Sequence, residues 1–185
     1  AGALVDIGCY ALYTTISLMG SPRPRYVTAL AGTFLAHQAQ GEQRWGRFTW
    51  RAEEVEVEDF AAAFVRFENG AAMVLKACWA AHADSIGRPF FLGTRGGMAL
   101  NPRGVQPPVE LYFNQQIGNL NLTCAPQGLV EVEDWPAKIQ AFAEAVRDDL
   151  PSPIDPRTVF LTTVVLDGAL RSARDGREVE VDPTY

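Results

Sequence analysis

Two side chains near the amino end, Asp6 and Tyr10, have types and spacing that bear on proton chemistry. Four residues apart on a helix, a carboxylate and a phenol stand one above the other, with Cβ atoms roughly 5–6 Å apart. Such a pair makes a small polar cluster that could face a pocket. On spacing alone the commoner arrangement is an acid near a helix start and a tyrosine packed on the core with its hydroxyl at the rim. A free phenol has a pKa of about 10 and is a poor base near neutrality. A neighbouring ammonium would lower it.

The element that must carry the pair is A-G-A-L-V-D-I-G-C-Y-A-L-Y-T-T-I-S-L-M-G, residues 1–20. Cys9, Leu12, Ile16 and Met19 recur at helical spacing as one apolar stripe. Asp6 falls in the first turn, where the helix dipole favours a carboxylate, and Gly20 with Pro22 just beyond makes a stop. One continuous helix is expected.

Arg25–Phe34 is rich in strand formers. His37–Glu54 is polar and irregular, with Trp45 and Trp50, and is read as a long loop or lid whose tryptophans either cover a pocket or subunit contact or, more commonly for such loops, anchor it on the core. Glu58–Phe67 and Ala71–Ala81 make the clearest hairpin, turned by Glu68-Asn69-Gly70. Apolar residues on both of its faces predict that both are covered, and the face away from the helices is a candidate self-association surface. Pro89–Gly93 and Gly97–Leu100 form a second hairpin; Val109–Phe113 and Leu120–Cys124 read as short strands. Two helices follow. Asp134 and Pro136 start the first, with Ile139, Phe142, Ala143 and Val146 as its apolar stripe. Asp155 and Pro156 start the second, with Val159, Thr163, Leu166 and Leu170 along one side and Gly176 closing it. Arg177–Val181 alternates as a last strand.

Composition sets the class. A length of 185 residues, 48% hydrophobic and 21% charged, suits one sizeable soluble core or one domain of a larger protein. A formal charge of −6 with no basic run argues against a nucleic-acid partner, and no apolar stretch is long enough to span a bilayer. Cys9, Cys78 and Cys124 are too dispersed for a zinc site or a disulfide framework and fit free buried thiols in a reducing, cytoplasmic setting. His37 and His82 read as surface or rim residues. No metal site is expected. Gly93-x-x-Gly96-Gly97 lies between strand-like runs, so it is a hairpin turn rather than a phosphate cradle. The acidic run Glu53–Asp59, interleaved with valine, reads as an amphipathic strand edge. Nothing in the chain binds a dinucleotide by itself. The chain does not begin with Met and begins inside a helical pattern, so its amino end is read as a cut.

Four blocks in order resemble the carboxy-terminal domain of the Gfo/Idh/MocA oxidoreductases, named for glucose–fructose oxidoreductase and inositol dehydrogenase. Gly2-Ala3-Leu4-Val5-Asp6-Ile7-Gly8-Cys9-Tyr10 is similar to the family's G-x-L-x-D-x-G-x-[HY]. Glu58-Asp59 with Phe67-Glu68-Asn69-Gly70 resembles its E-D … F-x-N-G hairpin. Gly93-Thr94-Arg95-Gly96 resembles its G-T-x-G turn, and Ser172-Ala173-Arg174-Asp175-Gly176-Arg177-Glu178-Val179 its terminal S-A-x-x-G-[RK]-x-V. The resemblance implies an α+β fold: an open, predominantly antiparallel sheet with helices packed on one face, like the carboxy-terminal domain of glyceraldehyde-3-phosphate dehydrogenase. It implies one substrate-binding and oligomerisation domain over 1–185, from a two-domain chain whose Rossmann domain precedes residue 1.

The same resemblance implies an activity. The intact chain is expected to be an NAD- or NADP-dependent oxidoreductase. It would move hydride to or from a sugar, cyclitol or similar small polyol or carbonyl compound, and would assemble as a homodimer or higher homo-oligomer through the sheet face. The cofactor would be bound mainly by the domain upstream, so residues 1–185 alone are expected to be inactive. Asp6 and Tyr10 match the family's residues beside the nicotinamide, with Tyr10 where most members carry His. The family's upstream lysine would supply the ammonium that Tyr10 needs as proton relay, and Asp6 would orient the substrate hydroxyl or that lysine. The alternative is a non-catalytic binding or assembly domain of the same fold.

Overall fold

The structure is a computed structural model that describes residues 1–38, 51–83, 85–102, 104–114, 121–124, 126 and 134–184. The chain divides into two compact units, Ala1–His82 with Ile154–Tyr185, and Ala83–Pro153.

In the first unit the strands β1 (Pro24–Gly32), β2 (Phe60–Phe67), β3 (Ala72–Cys78) and β8 (Val179–Glu180) form an antiparallel sheet in the order β3-β2-β1-β8. Alternation along the strands decides its faces. Ala61, Ala63, Val65 and Phe67 of β2, with Met73, Leu75 and Ala77 of β3, turn inward to the core. The helices α1 (Ala3–Asp6), α2 (Gly8–Leu18) and α4 (Pro156–Asp175) cover that inner face, placing Leu4, Leu12, Ile16, Leu161 and Val165 against it. The turn between β2 and β3 is as expected: Gly70 has φ +84°, and Asn69 Oδ1 accepts from the Ala71 amide. On the outer face of the pair Phe64 and Val74 are exposed among the described residues, against the expectation that both faces are covered.

The expected continuous first helix is broken. Ile7 leaves the helix at φ −111° and separates α1 from α2. Both pieces are held from the sheet. The Ala3 amide donates to the Glu58 carbonyl at 3.0 Å and the Leu4 amide to Glu58 Oε1 at 3.0 Å. Gly2 leaves room for that carboxylate, which a Cβ there would strike. Leu12 and Ile16 are buried as predicted, with Cys9 and Met19 packed at the edge of the core, and Gly20 ends α2 at φ +80°.

In α4 the buried side lies one residue away from the predicted stripe. Thr158, Leu161, Thr162, Val165, Gly168, Ala169 and Ser172 face inward with Leu166, whereas Val159 and Leu170 are exposed. Small residues decide this. A Cβ on Gly168 would come within 2.6 Å of Val181 Cγ1 and 3.1 Å of Val27 Cγ2, so the glycine lets the helix approach β1 closely. Ser172 Oγ accepts from the Ala29 amide at 2.9 Å and donates to the Arg177 carbonyl at 2.7 Å. It thereby pairs a β1 amide beyond the reach of the short β8. Asp155 caps α4 by accepting from the amides of Arg157 and Thr158, and Gly176 closes it at φ +64°.

The second unit holds another antiparallel sheet, β4 (Phe90–Leu92), β5 (Gly97–Leu100), β6 (Val109–Asn114) and β7 (Asn121–Cys124), in sequence order. The helix α3 (Asp134–Arg147) belongs to the same unit. The expected capping side chain of Asp134 lies outside the described residues. The predicted stripe of α3 is exposed at Ile139, Phe142 and Val146; its buried and half-buried residues are Ala137, Ala141, Glu144 and Ala145. The α+β class, the antiparallel pairing and helices on one face match expectation, with the strands divided between two sheets. The lid expected within His37–Glu54 falls mostly on residues 39–50, Trp45 and Trp50 included, which lie outside the described residues.

The acidic run departs from the predicted strand edge. Ala52–Glu54 is a 3₁₀ turn, and Asp59 is 1% exposed. Its carboxylate accepts from the amides of Phe34, Leu35 and Ala36 at 2.6–3.1 Å. Burial alone would raise its pKa, but these backbone donors outweigh burial and hold it below the ordinary carboxylate value. Asp59→Ala removes the acceptor that the Phe34 and Leu35 amides share and is expected to lower stability by about 2–4 kcal/mol in urea denaturation. Because the folded pKa is depressed, the carboxylate's contribution is complete above the unfolded value of about 3.9 and is lost as pH falls through the folded one. Asp59→Asn should therefore flatten the acid limb of the stability–pH curve.

Candidate functional site

Asp6 is the last residue of α1 and Tyr10 lies in the first turn of α2. Both are exposed, Tyr10 at 66%. The break at Ile7 puts them on separate helical pieces, and among the described residues no hydrogen bond joins their side chains. The neighbour of Asp6 is instead Trp79, whose indole Nε1 donates to Asp6 Oδ2 at 3.1 Å. The Cys9 thiol donates to the Asp6 carbonyl at 3.5 Å.

The sheet explains this placement. Trp79 follows β3 and keeps its parity: residues 73, 75 and 77 face the helices, and 79 continues toward them. The Trp79 amide donates to the Asp59 carbonyl at 2.9 Å, extending the pairing of β2 and β3 by one residue. Gly8, at the start of α2, is buried, and a Cβ on it would sit 3.4 Å from Ala77 Cβ. The break between the helices therefore rests on the end of β3. Sequence reading missed Glu58 and Trp79 as supports of Asp6. The period of two along β3 was the available signal for Trp79.

Two concavities can be described in the first unit. One, of about 230 Å³, is lined by Arg23, Arg157, Phe160, Leu161 and Pro183; the other, of about 570 Å³, includes Arg25, Glu68, Glu180 and Asp182. Neither includes Asp6 or Tyr10. Among the described residues no three His, Cys, Asp or Glu side chains gather as a metal site. All three cysteines are free, but none is fully buried and Cys124 is exposed, against the expectation of buried thiols. His37 Nε2 lies 3.0 Å from the Val55 carbonyl, and His82 is exposed.

Residues 1–99 match the family described as the GFO/IDH/MocA C-terminal domain. The chain belongs to the Gfo/Idh/MocA family. Within this Gfo/Idh/MocA domain the matched segment carries both Asp6 and Tyr10 and the supports Glu58, Asp59 and Trp79. Among curated proteins no sequence matches it. Solved structures do. An aldose-aldose oxidoreductase from Caulobacter crescentus, complexed with glycerol, is 20% identical over 97% of this chain and 48% of its own, with a TM-score of 0.70. An NAD binding oxidoreductase from Klebsiella pneumoniae is 22% identical over 98% of this chain and 51% of its own, at 0.70. An oxidoreductase from Agrobacterium radiobacter in complex with NAD+, L-tartaric acid and magnesium is 18% identical over 96% and 48%, at 0.60. At these identities the likeness establishes the fold. The chain spans about half the length of these structures.

The second unit of the Gfo/Idh/MocA domain carries a separate polar network. Arg88 donates to both carboxylate oxygens of Glu110, at 3.1 and 3.3 Å, to the Tyr112 hydroxyl at 3.1 Å and to Asn101 Oδ1. Asn101 Nδ2 and the Tyr112 hydroxyl also donate to Glu110. These donors, Arg88 first, lower the Glu110 pKa to about 2. The four side chains are engaged with one another, and the network ties β5 and β6 to the residues before β4. Glu110 should therefore stay ionised at pH 4 in a carboxyl NMR titration, and Arg88→Met should move its midpoint up toward the ordinary glutamate value of about 4.3. With the folded pKa depressed, the network's stabilisation is present above that value and fades as pH falls toward 2.

Proposed function

We propose that this domain binds the substrate of an NAD(P)-dependent oxidoreductase that moves hydride to or from a sugar, cyclitol or similar small polyol or carbonyl compound. The observation that carries the reading is the exposed pair Asp6 and Tyr10, brought to the surface at the break between two helices, with Asp6 oriented from the sheet by Trp79. Removing hydride from an alcohol carbon also requires taking the hydroxyl proton. Tyr10 relays that proton, and Asp6 orients the hydroxyl through the carboxylate oxygen that Trp79 does not occupy. Small polyhydroxylated ligands in the similar structures, glycerol in one and L-tartaric acid in another, support the substrate class.

The described residues offer no cradle for the dinucleotide's phosphates, because Gly93–Gly97 is a turn between β4 and β5. Holding the cofactor falls to the domain that the family places ahead of this one, which also closes the far wall of the cleft. When bound, the nicotinamide supplies or accepts the hydride. The ammonium that assists Tyr10 as proton relay comes from that domain as well. Residues 1–185 alone are then inactive. Free thiols at Cys9, Cys78 and Cys124 suit the cytoplasm.

The outer face of the first sheet is the dimer surface in this reading. Leu30 at 59%, Phe64 at 43% and Val74 at 71% exposure make an apolar patch across β1, β2 and β3. It is bordered by polar contacts: Arg66 to Glu178 at 2.6 Å, Thr28 to Glu178 at 3.3 Å, and the Arg66 guanidinium 4.7 Å from the Tyr26 ring centroid. An apolar centre with a polar rim is the anatomy of a protein interface.

Two experiments on the intact protein test the two halves of the proposal. Tyr10→Phe is expected to lower kcat by roughly a hundredfold or more with little change in fold, as for loss of a general acid–base group. Unaltered turnover would instead favour the non-catalytic assembly domain. Phe64→Glu with Val74→Lys is expected to convert a dimer to a monomer in analytical ultracentrifugation with the far-UV spectrum unchanged. An unchanged sedimentation coefficient would remove this face as the interface.

A further inference from the structure

We infer that Trp79 is a positioning residue for the reaction: its indole N–H holds the Asp6 carboxylate in the orientation that the substrate hydroxyl and Tyr10 require. The inference rests on the role proposed above for Asp6 and Tyr10. Helix α1 has four residues, far too few to hold itself by helical hydrogen bonding. Asp6 ends it, next to the break at Ile7, so the local backbone leaves the direction of its side chain loosely set. The start of α1 is fixed by Glu58 through the Ala3 and Leu4 amides. At its end, among the described residues, the carboxylate has one hydrogen-bond partner, Trp79 Nε1 at 3.1 Å.

Trp79 is suited to that task because its own backbone is pinned. Its amide donates to the carbonyl of Asp59, whose carboxylate is buried against three amides, so the indole projects from a rigid strand end. The ring is 45% exposed, so an outside position was open to it, yet its polar edge lies on Asp6. A bond from N–H to an ionised carboxylate is among the stronger and more directional hydrogen bonds. It engages Oδ2 and leaves Oδ1 for the substrate. Phenylalanine at this position keeps an aromatic ring and loses the donor alone.

The test uses the intact oxidoreductase with its cofactor and compares Trp79→Phe, Asp6→Asn and the double variant. Trp79→Phe is expected to lower kcat roughly ten- to a hundredfold, the loss typical of a misplaced catalytic group. The double variant is expected to be no slower than Asp6→Asn, because Trp79 acts through Asp6. Losses that multiply in the double variant overturn the inference. A second readout needs no turnover. The indole N–H resonance of Trp79, identified by its absence in Trp79→Phe, is expected to shift in Asp6→Asn more than any other indole. Where Trp79→Phe does not fold, all indole N–H resonances are followed together, and none moving in Asp6→Asn overturns the inference. A slow Asp6→Asn with an unimpaired Trp79→Phe defeats this inference alone. Unimpaired turnover in Asp6→Asn defeats the proposed role of Asp6 and this inference together.

Discussion

Two adjacent carboxylates just before β2 set the geometry of the first unit. Glu58 fixes the start of α1, and Asp59 gathers the amides of Phe34, Leu35 and Ala36 around a buried charge. The apolar core supplies most of the stability, but it is non-directional and does not say where a helix of four residues must begin. Hydrogen bonds do. Each contributes only about 1 kcal/mol net, while an unmet buried partner costs up to about 3 kcal/mol. The penalty for any other arrangement is thus larger than the gain from this one, which is how a few polar contacts select a single placement of α1.

That placement explains which features were legible in the sequence. Turns and stops set by local backbone chemistry were read at their positions: Gly20, Asn69-Gly70 and Gly176, each glycine at positive φ. So were the hairpins, whose partners are near in sequence. The features missed depend on distant partners. No glycine or proline stands at residue 7, and the break there is dictated by Glu58 and Ala77, far along the chain. The inward side of α4 escaped for a related reason. Counting bulky residues selects Val159 and Leu170, whereas close approach to β1 selects Gly168, Ala169 and Ser172. The family's terminal block makes physical sense in those terms, with Ser172 pairing a strand amide and Gly176 ending the helix in the left-handed region.

The candidate site was half legible. Asp6 and Tyr10 were singled out by type and spacing, under the premise of a continuous helix that would stack them, and were given a role only by the family resemblance. The structure replaces that stacking with a cross-link to the sheet. A carboxylate held by a strand-anchored indole is better defined than one held by a four-residue helix alone, because the strand end is itself hydrogen-bonded into the sheet at the Asp59 carbonyl. Trp79 was read only as an extension of β3. Its parity placed it on the helix side, and that parity was in the sequence.

The sheet of the first unit also separates two demands. Its inner face carries α1, α2 and α4, and with them Asp6 and Tyr10 beyond the end of β3. Its outer face carries Leu30, Phe64 and Val74. Because successive strand residues point to opposite faces, either set can change without displacing the other. In the proposed assembly a second copy would sit on the outer face, opposite the helices that carry Asp6 and Tyr10. The exposed apolar patch and the exposed polar pair therefore do not compete for one surface, and the same eight-residue β2 serves both through alternate residues.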